Sequence, residues 1–564
     1  MQTVRRLYLY AMSGITLGVM LVGLNNLFVV LFHAAGLGRA TAASTADDRE
    51  ALSLAFALIV VGAVVWTIHW LLIERSLRPA NPAAQEERRS PIRAGYLSVV
   101  LAVTLVFGVL AGIQLLEHVS RRLLGVPLSN GFDFLEIDLG AAAASVLVMG
   151  AAWAYHVLIR RRDLGAVEMS GAAAWLPRVY LYGAALVGLV LAAMNLGTLV
   201  RLVLAWVVGS PLDDDVFDRS FEQRAMADAL AGVIGWAIIW AGHWWYATAL
   251  SHDAGWRGQS EQRSRLRAAY LLVVIGAAAV ATVVFVGQAA SSALQLLLGA
   301  RAEFGSETRL EAIVGPLLAV VPWLLAWWAH LGWLRREATA SDAESRTASV
   351  DRLSSATVAL VGLAGSGIGL GVVAGYVVDL LLGGNRTTGD FWQAEFLSFV
   401  AVGLVSAILW LWNWSHLQRR HAADPVGEAT ATTRRAYLLV AVGASLLATL
   451  ASVAVLLYQL FNTVMGVPSF DDRGSATSSA LGALVVAAAS AAYHGLLERN
   501  DRRIREAVAG EPQAEPVAGE PGVAPGPARR VMVLTTATQA DADLVVAALR
   551  ATLPPGASLE EAAD

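Results

Sequence analysis

The sequence predicts an all-α fold, a polytopic transmembrane protein of about twelve helices arranged as six helical hairpins. Three observations predict it. First, the 564 residues are 56% hydrophobic and only 15% charged, with a mean hydropathy of +0.57, where a soluble domain carries roughly 25% charge. Second, apolar runs of about 20 residues recur, the length that crosses hydrocarbon as a helix; Leu97 to Leu116, Leu271 to Leu298 and Leu438 to Leu460 are examples. The residue-by-residue alternation of a membrane barrel is absent. Third, a tyrosine opening one apolar segment and a histidine closing the next recur along the chain, and a fixed period sets architecture before any local motif is read. The tyrosines are Tyr8, Tyr96, Tyr180, Tyr270 and Tyr437, with Ser354 in the slot that breaks the rule; the histidines are His69, His156, His243, His330, His416 and His494.

Taken in order, the elements follow from these patterns. Met1 to Arg6 is short and basic, and the apolar segment after it is too long for a signal-peptide core, so it reads as a retained first span. Each hairpin but the fifth opens on an arginine-bearing phrase, such as Arg93-Ala94-Gly95-Tyr96 or Arg267-Ala268-Ala269-Tyr270. The loops inside hairpins are acidic, as at Asp47, Asp133, Asp138, Asp213 to Asp215, Glu303, Glu307, Glu311, Asp471 and Asp472. The loops between hairpins are rich in arginine, as at Arg75, Arg88, Arg160 to Arg162, Arg263, Arg335 and Arg419. Short arginine-rich loops stay in the cytoplasm, so both termini are expected inside.

A longer period is laid over the short one. His69, His243 and His416 recur at about 174 residues, as do His156 and His330. The expected units are four-helix blocks at 1–170, 171–345 and 346–505, all in one orientation because an even number of crossings restores it. Parallel repeats allow a pseudo-threefold axis along the membrane normal or a linear array. Residues 506–528, rich in Pro, Gly and Ala, read as a linker. The tail at 529–564 offers one strand, Val531 to Thr535, and one helix, Ala540 to Thr552, for docking, pairing between subunits or disorder.

The arginine–tyrosine entry and tryptophan–histidine exit of each hairpin, over roughly residues 5 to 505, resemble a bacterial repeated four-helix integral membrane domain family of unassigned function. The resemblance brings no activity with it. With the arginine loops, it implies the cytoplasmic (inner) membrane of a bacterium.

Two sets of residues are candidates for chemistry. Four of the six histidines stand in Trp-x-x-His, for instance Trp240–His243, which puts both rings on one helical face. Tyrosine and histidine at matching depth are expected to hydrogen-bond. As a group, these rings read as interface anchors and packing, since each has an apolar body and a polar tip; a proton relay or ligand site is the alternative. Haem held by paired histidines is the sharpest alternative, disfavoured because room-making glycines and a second histidine level are missing. The second set is a polar stripe on the first helix of the hairpins: Asn26; Gln114, His118 and Arg121; Gln288, Ser292 and Gln295; Asp379; Gln459 and Asn462. It reads as interhelical hydrogen bonding near the outer surface, or as a vestibule for a polar solute or ion.

Other classes are excluded or weak. No cysteine is present, which removes disulfides, thiolate metal sites and thiol nucleophiles. All 41 basic residues are arginine, which removes lysine Schiff bases, and a net charge of −4 gives no reason to invoke nucleic acid. The glycines from Gly362 to Gly375 sit within an apolar span and suit close helix packing rather than a phosphate loop. Pro316 and Pro322 predict a kink in the eighth span. Expected partners are the bilayer and a protein or second copy bound through the tail. The expected function is a non-enzymatic structural, sensing or organising role, with a channel or transporter as runner-up and a haem or redox protein third.

Overall fold

The structure, a computed structural model, describes residues 2–37, 45–78, 83–126, 138–208, 216–299, 309–339, 343–384, 392–465 and 473–510. All regular structure among them is helical. The acidic positions expected at 133, 213–215, 303, 307, 471 and 472, and the whole tail at 529–564, lie outside the described residues. The described residues up to Arg505 belong to one compact unit.

The chain runs two long helices, one short, then two long, and does so three times. The first set is α1 (Gln2–Ala34), α2 (Thr45–Ser76), α3 (Ala84–Arg88), α4 (Pro91–Leu123) and α5 (Leu139–Ala166). The second is α6 (Gly171–Val208), α7 (Val216–Ser251), α8 (Trp256–Gln262), α9 (Arg265–Leu297), then α10 (Arg309–Ala319) and α11 (Val321–Thr339), which share one span. The third is α12 (Ala343–Leu381), α13 (Trp392–Ala423), α14 (Pro425–Thr430), α15 (Thr432–Val464) and α16 (Arg473–Gly510). Among the described residues, twelve spans are long and apolar enough to cross a membrane.

The breaks have local causes. Pro316 and Pro322 flank the step between α10 and α11, where the kink was expected, because each proline removes a helical N–H. Gly125 and Gly383 end α4 and α12 with φ of 68° and 69°, and the next amide returns to the residue five before it, Val126 to Arg121 at 2.9 Å and Gly384 to Asp379 at 2.8 Å. Pro91 and Pro425 begin α4 and α14, where a missing N–H costs nothing. The short helices fall within connectors read from sequence as plain loops. Asp424 caps α14 by accepting from the Gly427 amide at 2.9 Å.

Consecutive long helices pack as pairs, α1 on α2, α4 on α5, α6 on α7 and α12 on α13, while α9 packs on α10 and α11. The sets join in chain order: α4 lies against α6 and α7, and α9 against α12 and α13. The glycines of α12 act as close-approach points. A Cβ at Gly362 would lie 2.6 Å from the Trp410 amide nitrogen, and one at Gly365 would meet the Ser406 hydroxyl. On α16, a Cβ at Gly482 would run into the Gly375 backbone. Small residues let helix backbones approach where lipid offers no hydrophobic drive to associate.

Candidate functional site

Five tyrosines meet five histidines, always within one helix pair. The distances from hydroxyl to Nε2 are 3.4 Å for Tyr8–His69, 3.3 Å for Tyr96–His156, 3.1 Å for Tyr180–His243, 3.1 Å for Tyr270–His330 and 3.4 Å for Tyr437–His494. In each ring the other nitrogen lies 2.7–2.9 Å from the carbonyl four residues earlier, as His156 Nδ1 does from Ala152. A carbonyl only accepts, so Nδ1 carries the proton and Nε2 accepts from the tyrosine O–H. Both nitrogens of each ring are thereby used.

The tryptophan one turn before the histidine joins the next pair. Trp153 Nε1–H donates to the Tyr180 hydroxyl at 2.8 Å, Trp240 to Tyr270 at 3.3 Å and Trp410 to Tyr437 at 3.0 Å. Histidine and tryptophan share a face, so one helix serves two tyrosines, its own and that of the following pair. The result is a belt of hydrogen bonds that runs from Tyr96 to His330 and, after a break at the fifth pair, from Trp410 to His494. It frays at its start, where Tyr8 is 56% exposed and Trp66 Nε1, in the place that would serve Tyr96, is buried without a partner.

The fifth pair departs from the sequence reading. The sequence places His416 in its histidine slot, but Trp410 fills the tryptophan position, which puts Asn413 three residues on in the slot. Asn413 Nδ2 donates to the Leu409 carbonyl at 2.9 Å, as the ring nitrogen of each histidine does. His416 lies nearly one turn further along, half-buried, and makes no tyrosine contact among the described hydrogen bonds. Tyrosine and histidine are thus replaced together, by Ser354 and Asn413.

Beside the belt, at the arginine-rich end, lies a group that sequence reasoning missed. In the first set Arg6 Nε donates to Glu87 at 2.7 Å, Tyr10 donates to Glu87 at 2.9 Å, and Arg93 reaches both the Tyr10 hydroxyl at 3.1 Å and Asp163 at 2.6 Å. In the second, Arg178 binds Glu261 at 2.8 Å, Tyr182 donates to Glu261, and Arg267 reaches the Tyr182 hydroxyl at 3.3 Å and Glu337 at 2.9 Å. In the third, Arg352 binds Glu428 at 2.7 Å and Arg434 binds Asp501 at 2.7 Å. Each central arginine also lies over a tryptophan, Arg93 over Trp70, Arg267 over Trp244 and Arg434 over Trp414. Arg93, Arg267 and Arg434 are only 1%, 2% and 4% exposed, so these are buried charges that fold only as pairs.

The third set again lacks its tyrosine, with Ala356 in its place. Arg434 turns instead to Gln418 at 2.9 Å, and Arg420 joins Glu428 at 3.3 Å. A cavity of about 10 Å³ remains between Glu428, Arg434 and Ala356, room for one water.

The polar stripe does not gather into one site. Gln114 and Gln288 are exposed, and Asn26, His118, Gln459 and Asn462 half-buried. Arg121 pairs with Glu117 one turn away on its own helix and with Asp228 of α7 at 3.2 Å. Gln295 Nε2 donates to Ser291 at 2.9 Å, and Ser291 meets Ser398 of α13 at 2.8 Å. Asp379 accepts from Ser478 at 3.2 Å, and Tyr376 donates to Glu395 at 2.7 Å. Among the described residues no group of three or more His, Asp or Glu could hold a metal ion.

Three stretches, residues 6–152, 178–325 and 352–489, match the family model described as Domain of unknown function (DUF5671), and together they cover more than half of the chain. The chain belongs to this family. No curated protein and no solved structure matches it. Each DUF5671 stretch opens on the arginine that binds the short-helix glutamate: Arg6, Arg178 and Arg352. Each closes before the last helix delivers its histidine and its acid. The missed acids carried a signal, since Glu87 and Glu261 stand 174 positions apart, as do Asp163 and Glu337. They were hidden because they lie in or beside connectors whose arginines dominate the count.

Proposed function

We propose that this multi-pass membrane protein is a non-enzymatic, structural or partner-organising component of the bacterial cytoplasmic membrane. Its six hairpins are threaded with the arginine-rich ends and both termini inside. The observation that carries the reading is that each of the five paired histidines is fixed between a tyrosine hydroxyl and a main-chain carbonyl. A ligand at Nε2 would have to displace the tyrosine, and the carbonyl beyond Nδ1 is too weak a base to pass a proton on. The same engagement weighs against axial haem ligation, for which Nε2 would have to leave its tyrosine. Arg93 and Arg267 likewise each meet an acid and a tyrosine, and Arg434 an acid and Gln418. Membrane bundles use such polar contacts as glue.

The test is flux through the reconstituted full chain. Proteoliposomes are expected to hold imposed proton, potassium and small-solute gradients as well as protein-free vesicles do; a specific leak abolished by Gln295→Leu would establish the transport reading instead. Reporter fusions to the connectors at 79–82, 252–255 and 424–431 are expected to report the cytoplasm, and alternation of sides among them would end the threading.

A further inference from the structure

The seam between the first and second sets holds a pocket of about 400 Å³ at the arginine-rich end, walled by the end of α5, the start of α6, the end of α7 and α8. Four arginines line it, Arg160, Arg161, Arg178 and Arg257, against two carboxylates, Asp253 and Glu261. Glu261 is already committed to Arg178 and Tyr182, and Asp253 accepts from the Gly255 amide at 2.8 Å. The arginines are unevenly served. Arg160 Nη1 is shielded from solvent and has no hydrogen-bond partner. Arg161 lies over the Tyr246 ring and Arg257 over Trp256, at 5.8 and 5.7 Å. A ring face neutralises no charge.

The corresponding place at the other seam is built differently. Leu334 stands 174 positions after Arg160 and is buried, and Arg335, which follows it, pairs with Asp351 at 3.2 Å. An apolar residue therefore suits this helical position, and the arginine in the first seam is an addition the fold does not require. A buried guanidinium N–H without an acceptor is costly, so it implies an anion to receive it.

We propose that this pocket binds a phosphate group. The planar forks of Arg160 and Arg257 suit phosphate oxygens, and the excess of two positive charges suits a dianion or a pair of diesters. Its apolar wall, with Met169, Leu250 and Trp256, suits a phosphate attached to an acyl or glycerol body. Basic pockets between spanning helices at headgroup depth take anionic lipids; a soluble phosphate ester carries the same recognised group. The site is separate from the hydrogen-bond belt and stands whether or not the belt's proposed role does.

Thermal unfolding of the full chain in detergent, titrated separately with phosphatidylglycerol, phosphatidylcholine and inorganic phosphate, tests this. Stabilisation by phosphatidylglycerol, with half-saturation raised at least tenfold in Arg160→Leu, supports the site and names the lipid headgroup as its source. The same response to inorganic phosphate supports it and names soluble phosphate. Equal responses to phosphatidylglycerol and phosphatidylcholine, or an unchanged titration in Arg160→Leu, overturn it. Should Arg160→Leu fail to fold, Arg257→Gln, on the pocket's far wall, is read by the same criteria.

Discussion

The two ends of the bundle are built on different plans. At the arginine-rich end the same parts recur in each set: a glutamate on a short helix, an arginine on the first helix, a central arginine over a tryptophan and an acid on the last helix. At the opposite end every set improvises. The first ties His33 to Asp138 at 2.9 Å, the second joins Gln295 to Ser291, and the third sets Asp379 against Ser478. Repetition therefore marks the end where arginine–carboxylate pairs are buried, since a buried ion pair tolerates few arrangements. The opposite end also buries Asp379, Gln295 and Ser478, but links them through hydroxyls and amides, which tolerate many.

The largest test of that contrast is loss of a central arginine. Arg267→Met removes the buried guanidinium that joins Glu337, Tyr182 and the Ala247 carbonyl and empties the place over Trp244, and is expected to cost about 3–5 kcal/mol in detergent unfolding. Arg121→Met at the opposite end, whose partners Glu117 and Asp228 are 17% and 46% exposed, is expected to cost about 1–2 kcal/mol. Equal losses would erase the distinction between the ends.

Next in size is the belt. His330→Ala leaves the Tyr270 hydroxyl without its acceptor in a buried site, an expected loss of about 1–3 kcal/mol. His416→Ala, outside the belt, is expected to stay within about 0.5 kcal/mol of the parent. A comparable loss from His416 would restore the slot assignment read from sequence. Ala356→Tyr sharpens the contrast within the arginine-rich end: a cavity of about 10 Å³ cannot take a phenol, so overpacking of about 1–3 kcal/mol is expected in place of a gain.

How much of this was legible in the chain depends on the kind of signal. Helices, spans and the period follow from apolar runs and from Tyr–His spacing, because burial in hydrocarbon and backbone satisfaction act on composition directly. The kink at Pro316 and Pro322 and the glycine approach of α12 were legible for the same reason, being steric properties of single residues. The fifth histidine slot was not, because a three-residue offset is invisible until Trp410 is seen on Tyr437. The ionic group was not, because Glu87 and Asp163 look like ordinary surface acids beside arginines, and only tertiary packing shows them to be 7% and 3% exposed. The phosphate pocket was not, because Arg160 reads as one more arginine of a basic connector, and only the structure shows its Nη1 shielded and without an acceptor where the other seam buries Leu334.

The smallest effect tests the opposite end by pH. Asp138 caps α5, accepting from the Ala141 amide at 3.0 Å and from the His33 ring. Burial alone would raise its carboxyl pKa, but the Ala141 amide and His33 more than reverse that and hold it below the ordinary aspartate value. A lowered folded-state pKa means the cap contributes its full stability above the ordinary aspartate range and loses it as pH falls through the lowered value. Hydrogen-exchange protection at Ala141 is therefore expected to fall on acidification. Protection at Arg267, capped by the non-titrating Ser264 hydroxyl, serves as the internal reference, and Asp138→Asn should flatten the difference. Parallel loss at both amides would mean that acid loosens the bundle as a whole, and that the opposite end is no weaker than the end where the charges are buried.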